Sequence, residues 1–306
     1  MRLSLIAAIC CLAATAMAQS EPATVPATTA TSDAIFEKWS AILDESATQA
    51  VTAPATSTSA TSITAPASTT SAPATSTAPA VDEAAMKLLV QLEQAGEKYN
   101  TLQAAIDYRV ENAVLGTDEF HTGSVAYQRR TDKMPAKFRI QFDTAKYGSS
   151  AASAEKVEYA YDGLWLTISK GKIKNMTRRQ YNAPGEKDDP FKLGKGPFPL
   201  PFGQPADEVV SMFAARTRDA RSSDPKNTAF LELTPLPGQE KDYDFIRLQM
   251  WVDQDTLLPA KIISSDRNRD IKTVIFKDVK AGAELDQKLF KPDKPAGWEL
   301  IIEPMK

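Results

Sequence analysis

The chain has 306 residues, of which 42% are hydrophobic, 8% aromatic and 25% charged, and its formal net charge is −3. Composition is uneven along the length, since residues 46–80 contain only three residues that are not Ala, Ser, Thr or Pro. Such a segment buries too little apolar surface to offset backbone ordering, which costs roughly 1–2 kcal/mol per residue. About 225 residues remain for folding, which suits one domain and excludes a large multidomain enzyme.

Charge gives a second bound on function. Setting aside Arg2, Lys38 and the five acids of residues 19–80 leaves 34 basic and 34 acidic residues in the part that folds. A globally basic nucleic-acid-binding protein is excluded by this balance.

Residues 1–18 are predicted to be a cleavable signal peptide. Arg2 provides the positive end, Leu3 to Ala16 the short apolar core, and Ala16-Met17-Ala18 the cleavage site. We therefore expect an exported, periplasmic protein. No later run reaches the roughly 18 apolar residues of a membrane-spanning helix.

Both cysteines, Cys10 and Cys11, lie inside the apolar core of this signal. A lipid-anchored cysteine would mark the cleavage point and follow small residues, whereas Ile9 precedes Cys10. Cleavage after Ala18 leaves a chain without cysteine, and hence without disulfides, thiolate nucleophiles or Cys-ligated metals.

Residues 19–80 form a low-complexity linker with one interruption, a predicted amphipathic helix over residues 33–45. Its apolar side chains share one helical face: Ile35, Phe36, Trp39, Ile42 and Leu43. A helix of about twelve residues is marginal alone in water. It therefore either lies on its own domain or docks to a partner, a membrane surface or the domain's own cavity. Ser46 to Ala80 is expected to be an extended tether, with a sugar-modified stalk as one form.

The folding part, residues 81–306, opens with a helix capped by Asp82, and its apolar stripe ends at Tyr99. The hydrophobic period then changes from 3.6 to 2 over many short segments, separated by turn signals such as Asp162-Gly163. A second helix is predicted from about Ala206 to Ala220. The predicted fold is mainly β with helices: one large curved antiparallel sheet of ten or eleven strands, with two helices for its concave face.

Candidate catalytic groups are scarce. His121, the only histidine, stands at a strand start and is interpreted as structural, and no nucleophile, zinc or phosphate-loop motif is present. Asp266 to Asp270 begins like a calcium loop, but Ile271 stands where glycine belongs, so a polar hairpin tip is predicted instead. Asp188-Asp189 has no partner acid at a recognisable spacing. We expect no enzyme activity, no cofactor and no metal.

One run of bases contains no acid: Lys170, Lys172, Lys174, Arg178 and Arg179. The simpler interpretation is the solvent face of a strand and its turn. The alternative is a docking patch for anionic headgroups or an acidic partner.

Several motifs in order resemble the periplasmic outer-membrane lipoprotein carrier family (LolA-like). They are the helix end Tyr99-Asn100-Thr101-Leu102, then Gly123 to Tyr127, Lys133 to Ile140, Tyr161 to Trp165, Leu233-Thr234-Pro235, Leu248 to Asp253, and Leu285 to Trp298. The similarity covers essentially Ala84 to Ile302.

The resemblance implies an incomplete β-barrel whose helices form a lid over an apolar cavity for acyl chains. Phe138 matches a cavity-lining position of the family, and by alternation Ile140 and Phe142 point the same way. The rest of the predicted lining comes from other alternating segments: Tyr159, Tyr161, Leu248, Met250 and Phe276. Met134 replaces an Arg that the family uses in cargo hand-over, which puts the usual partners in doubt.

Three hypotheses follow. The first is a periplasmic carrier of lipoproteins or other lipids toward the outer membrane, with an inner-membrane donor and an outer-membrane receiver as partners. The second is a lipid- or lipoprotein-sensing or scaffold module of the same fold, without transport. The third is a secreted enzyme with an unrecognised carboxylate site. A monomer that binds no nucleic acid is expected.

Overall fold

A computed structural model describes residues 82–131, 134–183, 185, 193 and 203–305. The predicted signal peptide, the linker and the helix of residues 33–45 lie outside these residues, as do Lys133 and Asp188-Asp189. In the described part no helix is long and apolar enough to cross a membrane.

Helix α1 (Glu83–Lys98) begins where the sequence predicts. Asp82 caps it by accepting a hydrogen bond from the backbone N–H of Ala84 at 3.1 Å. The predicted apolar stripe is buried: Ala85, Leu88, Leu89, Leu92 and Ala95. Tyr99, predicted as the last residue of the stripe, is the half-buried C-cap.

Twelve strands form one sheet. They are β1 (Thr101–Asn112), β2 (Thr117–Gln128), β3 (Lys137–Tyr147), β4 (Ser153–Tyr161), β5 (Trp165–Lys170), β6 (Asn175–Gln180), β7 (Phe213–Arg216), β8 (Thr228–Pro235), β9 (Arg247–Asp253), β10 (Pro259–Ser265), β11 (Ile271–Ala281) and β12 (Glu299–Glu303). Their order is β12-β6-β5-β4-β3-β2-β1-β11-β10-β9-β8-β7, and only β12 runs parallel to its neighbour. Since β12 and β7 end this order, the sheet is not closed into a barrel. The predicted fold class is confirmed.

Bulges curve the sheet along β1 to β4. The register shifts between β1 and β11, between β2 and β3, and between β3 and β4. Gly123 lies at the second shift, where a Cβ would stand 1.8 Å from the carbonyl oxygen of Gln141. Each bulge bends its strand and increases the local twist, so one face of the sheet becomes concave.

The second predicted helix is wrong in its length. Helix α2 spans only Ala206–Met212, and the chain continues as β7, which pairs antiparallel with β8. Phe213 and Ala215 are buried while their neighbours are less so, a period of 2. Strand pairing at the open edge therefore prevails over helix propensity in this segment.

Two more differences concern the other edge. Residues Gly171–Ile173, between Lys170 and Lys174 of the predicted docking patch, form a 3₁₀ turn before β6 begins. The C-terminal strand β12 brings the count to twelve rather than ten or eleven. Strand β12 is short and pairs in parallel with β6. Parallel strands are not joined by a hairpin, so no turn signal beside this segment indicates a strand.

The two faces of the sheet are covered differently. On the concave inner face, apolar side chains of α1, α2 and most strands form one core. On the outer face, residues 282–305, here called the C-terminal strap, run from β11 across the sheet to β12. The strap buries Leu285 and Phe290 against Ala126 of β2.

Candidate functional site

The structure brings the eight predicted lining residues together on the inner face. All are buried, each no more than 8% exposed, and all belong to one core. They come from four strands: Phe138, Ile140 and Phe142 on β3, Tyr159 and Tyr161 on β4, Leu248 and Met250 on β9, and Phe276 on β11. Their shared face is a finding, whereas their role in binding stays a prediction.

Aromatic rings dominate this face. Phe138 stacks on Tyr161 with ring centroids 5.6 Å apart, and Phe142 stacks on Tyr108 at the same distance. The Tyr161 hydroxyl donates to the carbonyl oxygen of Gly163 at 2.8 Å and accepts from Asn182 Nδ2 at 2.7 Å. The polar end of Tyr161 is therefore satisfied by hydrogen bonds, and its ring remains in the apolar band.

Sequence reasoning missed a second aromatic group on the same core. Phe213 packs at 4.6 Å from Tyr243 and 5.8 Å from Phe245, between ring centroids. The signal was present at Tyr243 and Phe245, which alternate with polar neighbours but precede β9 in an irregular segment. Phe213 was assigned to a helix and so was not placed on the sheet.

Helix α1 roofs the inner face through apolar contacts. Leu88, Leu89 and Leu92 are buried in the same core as Phe138. Leu193, from the Pro- and Gly-rich segment between β6 and α2, joins them and is 2% exposed. Contacts of this kind are non-directional, so a different apolar group can replace them at small cost.

Polar bonds hold α1 at its two ends and along one side. Asp82 accepts from the backbone N–H and the hydroxyl of Thr217, at 2.9 and 2.7 Å. At the other end Arg129 Nη1 donates to the carbonyl oxygen of Gly96 at 2.5 Å. Laterally, Glu93 accepts from the first backbone N–H of α2 at 3.0 Å. The hydrogen bonds thus fasten the helix at its margins, and its middle rests on apolar side chains.

Gln204 lies beside this roof, one residue after Gly203, whose N–H donates to the carbonyl oxygen of Leu92 at 3.4 Å. Its side-chain amide is buried, and neither the nitrogen nor the oxygen has a hydrogen-bond partner among the described residues. An unpaired buried amide costs about 1–3 kcal/mol. A polar ligand atom bonded there would remove that cost.

The lone histidine is buried in a charged cluster at one end of the inner face. His121 Nδ1 lies 2.7 Å from Glu155 Oε2, and Nε2 lies 3.7 Å from Glu119 Oε2. The Tyr147 hydroxyl donates to the other oxygen of Glu155 at 3.1 Å. Burial alone would lower the pKa of His121, but its bonds to Glu119 and Glu155 prevail and raise this pKa to about 9. The structural role expected for His121 is therefore to form a charged pair with Glu155 that links β2 to β4.

The five bases of the predicted docking patch have different surroundings. Lys172 and Lys174 are exposed at the turn between β5 and β6, with Lys170 beside them. Arg179 pairs with Glu303 of β12 at 2.5 Å, and Arg178 lies over the Trp165 ring at 5.5 Å. The docking role of the patch stays a prediction.

Two tryptophans of the sheet, Trp165 and Trp251, lie apart from the inner core. Trp251 projects from β9 on the outer face, where it is buried against Phe230 and lies 6.0 Å from the Arg218 guanidinium. Trp165 is half-buried below Arg178. Neither joins the inner core.

A separate concavity of about 250 Å³ lies on the outer face beside the C-terminal strap. Its walls come from β1, β2, β3, β11 and the strap, and include Gln103, Ser124, Ala126, Lys280 and Leu289. None of the eight predicted lining residues borders it.

The inner face presents aromatic and aliphatic side chains, and the described part of the chain offers no grouped metal ligands beside them. The described residues contain no group of three or more His, Cys, Asp or Glu side chains able to hold a metal. Asp266 accepts from the backbone N–H groups of Asn268 and Asp270 within the predicted hairpin tip, and Asp270 accepts from the N–H of Ala113 in the β1–β2 turn. The class that fold and site define is an open, curved sheet with a roofed apolar face.

No family model and no curated protein matches the chain. Among solved structures it is similar to a LolA superfamily protein from Nitrosomonas europaea, at 13% identity and a TM-score of 0.33, over 68% of this chain and 98% of that one. It is also similar to a chain of the Pseudomonas aeruginosa MucA/MucB complex, at 16% identity and a TM-score of 0.39, over 69% of this chain and 61% of that one. A third is an uncharacterised conserved protein from Thermus thermophilus, at 10% identity and a TM-score of 0.43, over 72% of this chain and 100% of that one.

A LolA superfamily protein is thus among the structural neighbours, as the sequence motifs indicated. Identities and TM-scores this low carry no argument about function. What the chain binds has to be inferred from its own geometry.

Proposed function

We propose that this protein is a periplasmic carrier that binds acyl chains of lipoproteins or other lipids on the inner face of its sheet and moves them toward the outer membrane. The observation that supports it best is the mode of attachment of α1. The helix covers aromatic and aliphatic side chains with leucines, while its hydrogen bonds lie at its margins. Such a helix is suited to act as a lid, because lifting it breaks a few marginal hydrogen bonds and otherwise separates apolar surfaces.

The transfer free energies of leucine side chains and of an acyl chain favour an acyl chain as the ligand of the inner face. Re-exposing three leucines costs about 2 kcal/mol each, or roughly 6 kcal/mol to lift the lid. Burying a sixteen-carbon chain, at about 0.8 kcal/mol per CH₂, returns about 12 kcal/mol. One acyl chain therefore compensates for displacing the leucines, whereas a small polar ligand would not.

Gln204 supplies the polar complement that such a ligand needs. The carbonyl oxygen of an acyl ester would accept from its unpaired amide nitrogen beside α1. The cargo would then have its chain on the inner face and its ester at the edge of the lid.

Lipid mass spectrometry on the chain purified from its host tests the proposal. Co-purifying acyl species, and displacement of an apolar fluorescent probe by lipids of the same class, are expected. The absence of acyl species together with no displacement would exclude a carrier. In a Phe138→Glu preparation that keeps its far-UV circular dichroism, probe binding is expected to be abolished. If that variant folds and binds lipid normally, Phe138 does not line the site.

A further inference from the structure

One end of the sheet gathers three turns of the first six strands, beside the β10–β11 turn. Strands β1 to β6 are neighbours in chain order and alternate in direction, so every second connection lies at the same end. These connections are residues 112–117, 147–153 and 170–175, here called the hairpin rim. At about 4.8 Å per strand, the rim extends over roughly 20 Å.

The first tip of the rim exposes two adjacent apolar side chains. Val114 is 79% exposed and Leu115 is 71% exposed. Adjacent apolar side chains that are exposed at the tip of a turn normally mark a site of interaction.

The backbone of the same tip is already satisfied. The N–H groups of Val114 and Leu115 donate to Asn112 Oδ1, at 3.1 and 2.8 Å. The N–H of Ala113 donates to Asp270 Oδ1 at 2.8 Å, and that of Gly116 to the carbonyl oxygen of Asn112 at 2.9 Å. This tip can therefore enter an apolar medium without leaving its backbone donors unpaired, which is the main cost of placing a turn in lipid.

The tip between β5 and β6 adds charge. Ile173 is 57% exposed and stands between Lys172 and Lys174, both exposed. Neither lysine forms an ion pair with a described residue. Gly171 packs against Lys156 of β4, which places a further exposed lysine at this tip.

The acids closest to the rim are occupied within the protein. Glu155 is bonded to His121 at 2.7 Å, and Asp118 to Arg109 at 2.7 Å. Asp270 accepts from the backbone of the first tip. At the β5–β6 tip the exposed Glu299 accepts from Asn175 Nδ2 at 3.2 Å, and the three exposed lysines, Lys156, Lys172 and Lys174, outnumber this acid.

We propose that the hairpin rim docks the protein on an anionic phospholipid bilayer. Val114, Leu115 and Ile173 enter the interface, and Lys172 and Lys174 contact the headgroups. This inference rests on the proposed function, since a carrier of acyl chains collects and delivers them at membranes. It adds the surface by which the protein would approach the membrane that supplies its acyl chains.

Flotation with two kinds of vesicle tests the rim. The chain purified from its host is expected to bind vesicles of phosphatidylglycerol and phosphatidylcholine, and to bind pure phosphatidylcholine more weakly. The double variant Val114→Asp/Leu115→Asp should lower partition into the mixed vesicles by at least about tenfold. Lys172→Glu/Lys174→Glu should lower it by about fivefold or more on anionic vesicles and leave binding to neutral vesicles unchanged.

Ile302→Asp is the matched control. Ile302 is 57% exposed, like Ile173, but lies near the far end of β12. Its substitution should leave partition unchanged. Equal loss in the control, or unchanged partition in the Val114/Leu115 variant with its circular dichroism retained, overturns the proposal. The second result would assign vesicle binding to another segment, such as residues 33–45.

Acyl content measured on the same preparations separates the two proposals. If the protein carries acyl species and its rim variants still bind vesicles, the rim proposal is wrong and the carrier proposal stands. An unloaded chain that binds vesicles through the rim contradicts the carrier function alone.

Discussion

The inner and outer faces of this sheet are covered by segments that are held in opposite ways. On the inner face, α1 lies on apolar side chains and is hydrogen-bonded at its two ends and along the side that faces α2. On the outer face, the C-terminal strap is bonded at intervals along its length. Gln287 bonds to Gln128 at 2.9 Å and to Lys137 at 2.8 Å, and the strap ends as a strand paired with β6.

This difference bears on which cover the proposed carrier would open. Lifting the strap breaks bonds distributed along its length, whereas lifting α1 breaks bonds at its ends and along one side and separates apolar surfaces. Ligand-exchanging elements come from the less stable parts of a fold. The contrast therefore favours α1 as the lid of the proposed carrier and the strap as its fixed cover.

The largest test compares two phenylalanines that are both completely buried, Phe138 on the inner face and Phe290 in the strap. Replacing either by Ala should destabilise the protein by about 3–5 kcal/mol, through lost transfer free energy and the cavity left behind. Urea unfolding measures this loss. Lipid-probe affinity should fall at least tenfold in Phe138→Ala and stay unchanged in Phe290→Ala.

Each variant serves as the stability control for the other. Equal loss of probe affinity in both would mean that global destabilisation explains the effect, and the contrast between the faces would fail. Retained affinity in both would move the binding site away from Phe138.

Local pattern predicted much of this fold, because the features concerned lie within a few residues of each other. The α1 stripe and the alternation of Phe138, Ile140 and Phe142 on one face need only periodicity. The edges were different. The segment that begins at Phe213 is a strand because it pairs with β8. Strand β12 forms because the strap places residues 299–303 beside β6.

Bonds between distant residues were out of reach of pattern reasoning. Asp82 and Thr217 are 135 positions apart, and His121 and Glu155 are 34 apart. Their residue types are common, and only the fold makes them partners. The helix cap at Asp82 was predicted, but its second role in fastening the lid was not.

The His121 cluster is the polar exception on the inner face, and pH can test it. The folded pKa of about 9 exceeds the ordinary 6.5, so its stabilisation is complete below pH 6.5 and is lost as pH rises through 9. The pKa of Glu155 is lowered, as the bonds from His121 outweigh the effect of burial, so the same pair weakens as pH falls below 4.5. Stability should therefore be highest between these limits.

We expect the free energy of unfolding to drop by about 1–3 kcal/mol between about pH 6 and pH 9.5. His121→Gln should remove most of this dependence, as measured by urea unfolding at both pH values. An unchanged slope in the variant would place the responsible group elsewhere. Tyr147→Phe is the milder control, since it removes one bond to Glu155 and keeps the ion pair.

Removing the bonds that hold the start of α1 should have a smaller effect, and it tests whether α1 and the strap are held differently. Asp82→Ala removes the helix cap and both bonds from Thr217. Hydrogen exchange in the first turns of α1 should accelerate about fivefold, the usual effect of losing a cap. Lipid-probe association should accelerate with it, because the lid opens more often. Accelerated exchange without faster association would mean that the lid does not limit entry.

Asp82 also predicts a pH dependence for the lid alone. Bonds from the Thr217 backbone and hydroxyl lower its pKa, so its stabilising contribution is present above pH 3.8 and is lost as pH falls through the lowered value. Acid should thus loosen the first turn of α1, whereas the part of the strap around Gln287, held by the hydrogen bonds of its amide to Gln128 and Lys137, should keep its exchange protection.

The smallest effect is expected where the strap ends. Glu303 pairs with Arg179 at 2.5 Å, but both side chains are about a third or more exposed. Partly exposed pairs contribute about 0.2–1 kcal/mol, so Glu303→Gln should change the free energy of unfolding by less than about 1 kcal/mol and leave probe affinity unchanged. The strap would then be held mainly by Phe290 and by strand pairing. A loss approaching that of Phe290→Ala would instead show that this pair fixes β12, and that the outer cover depends on charge as much as on packing.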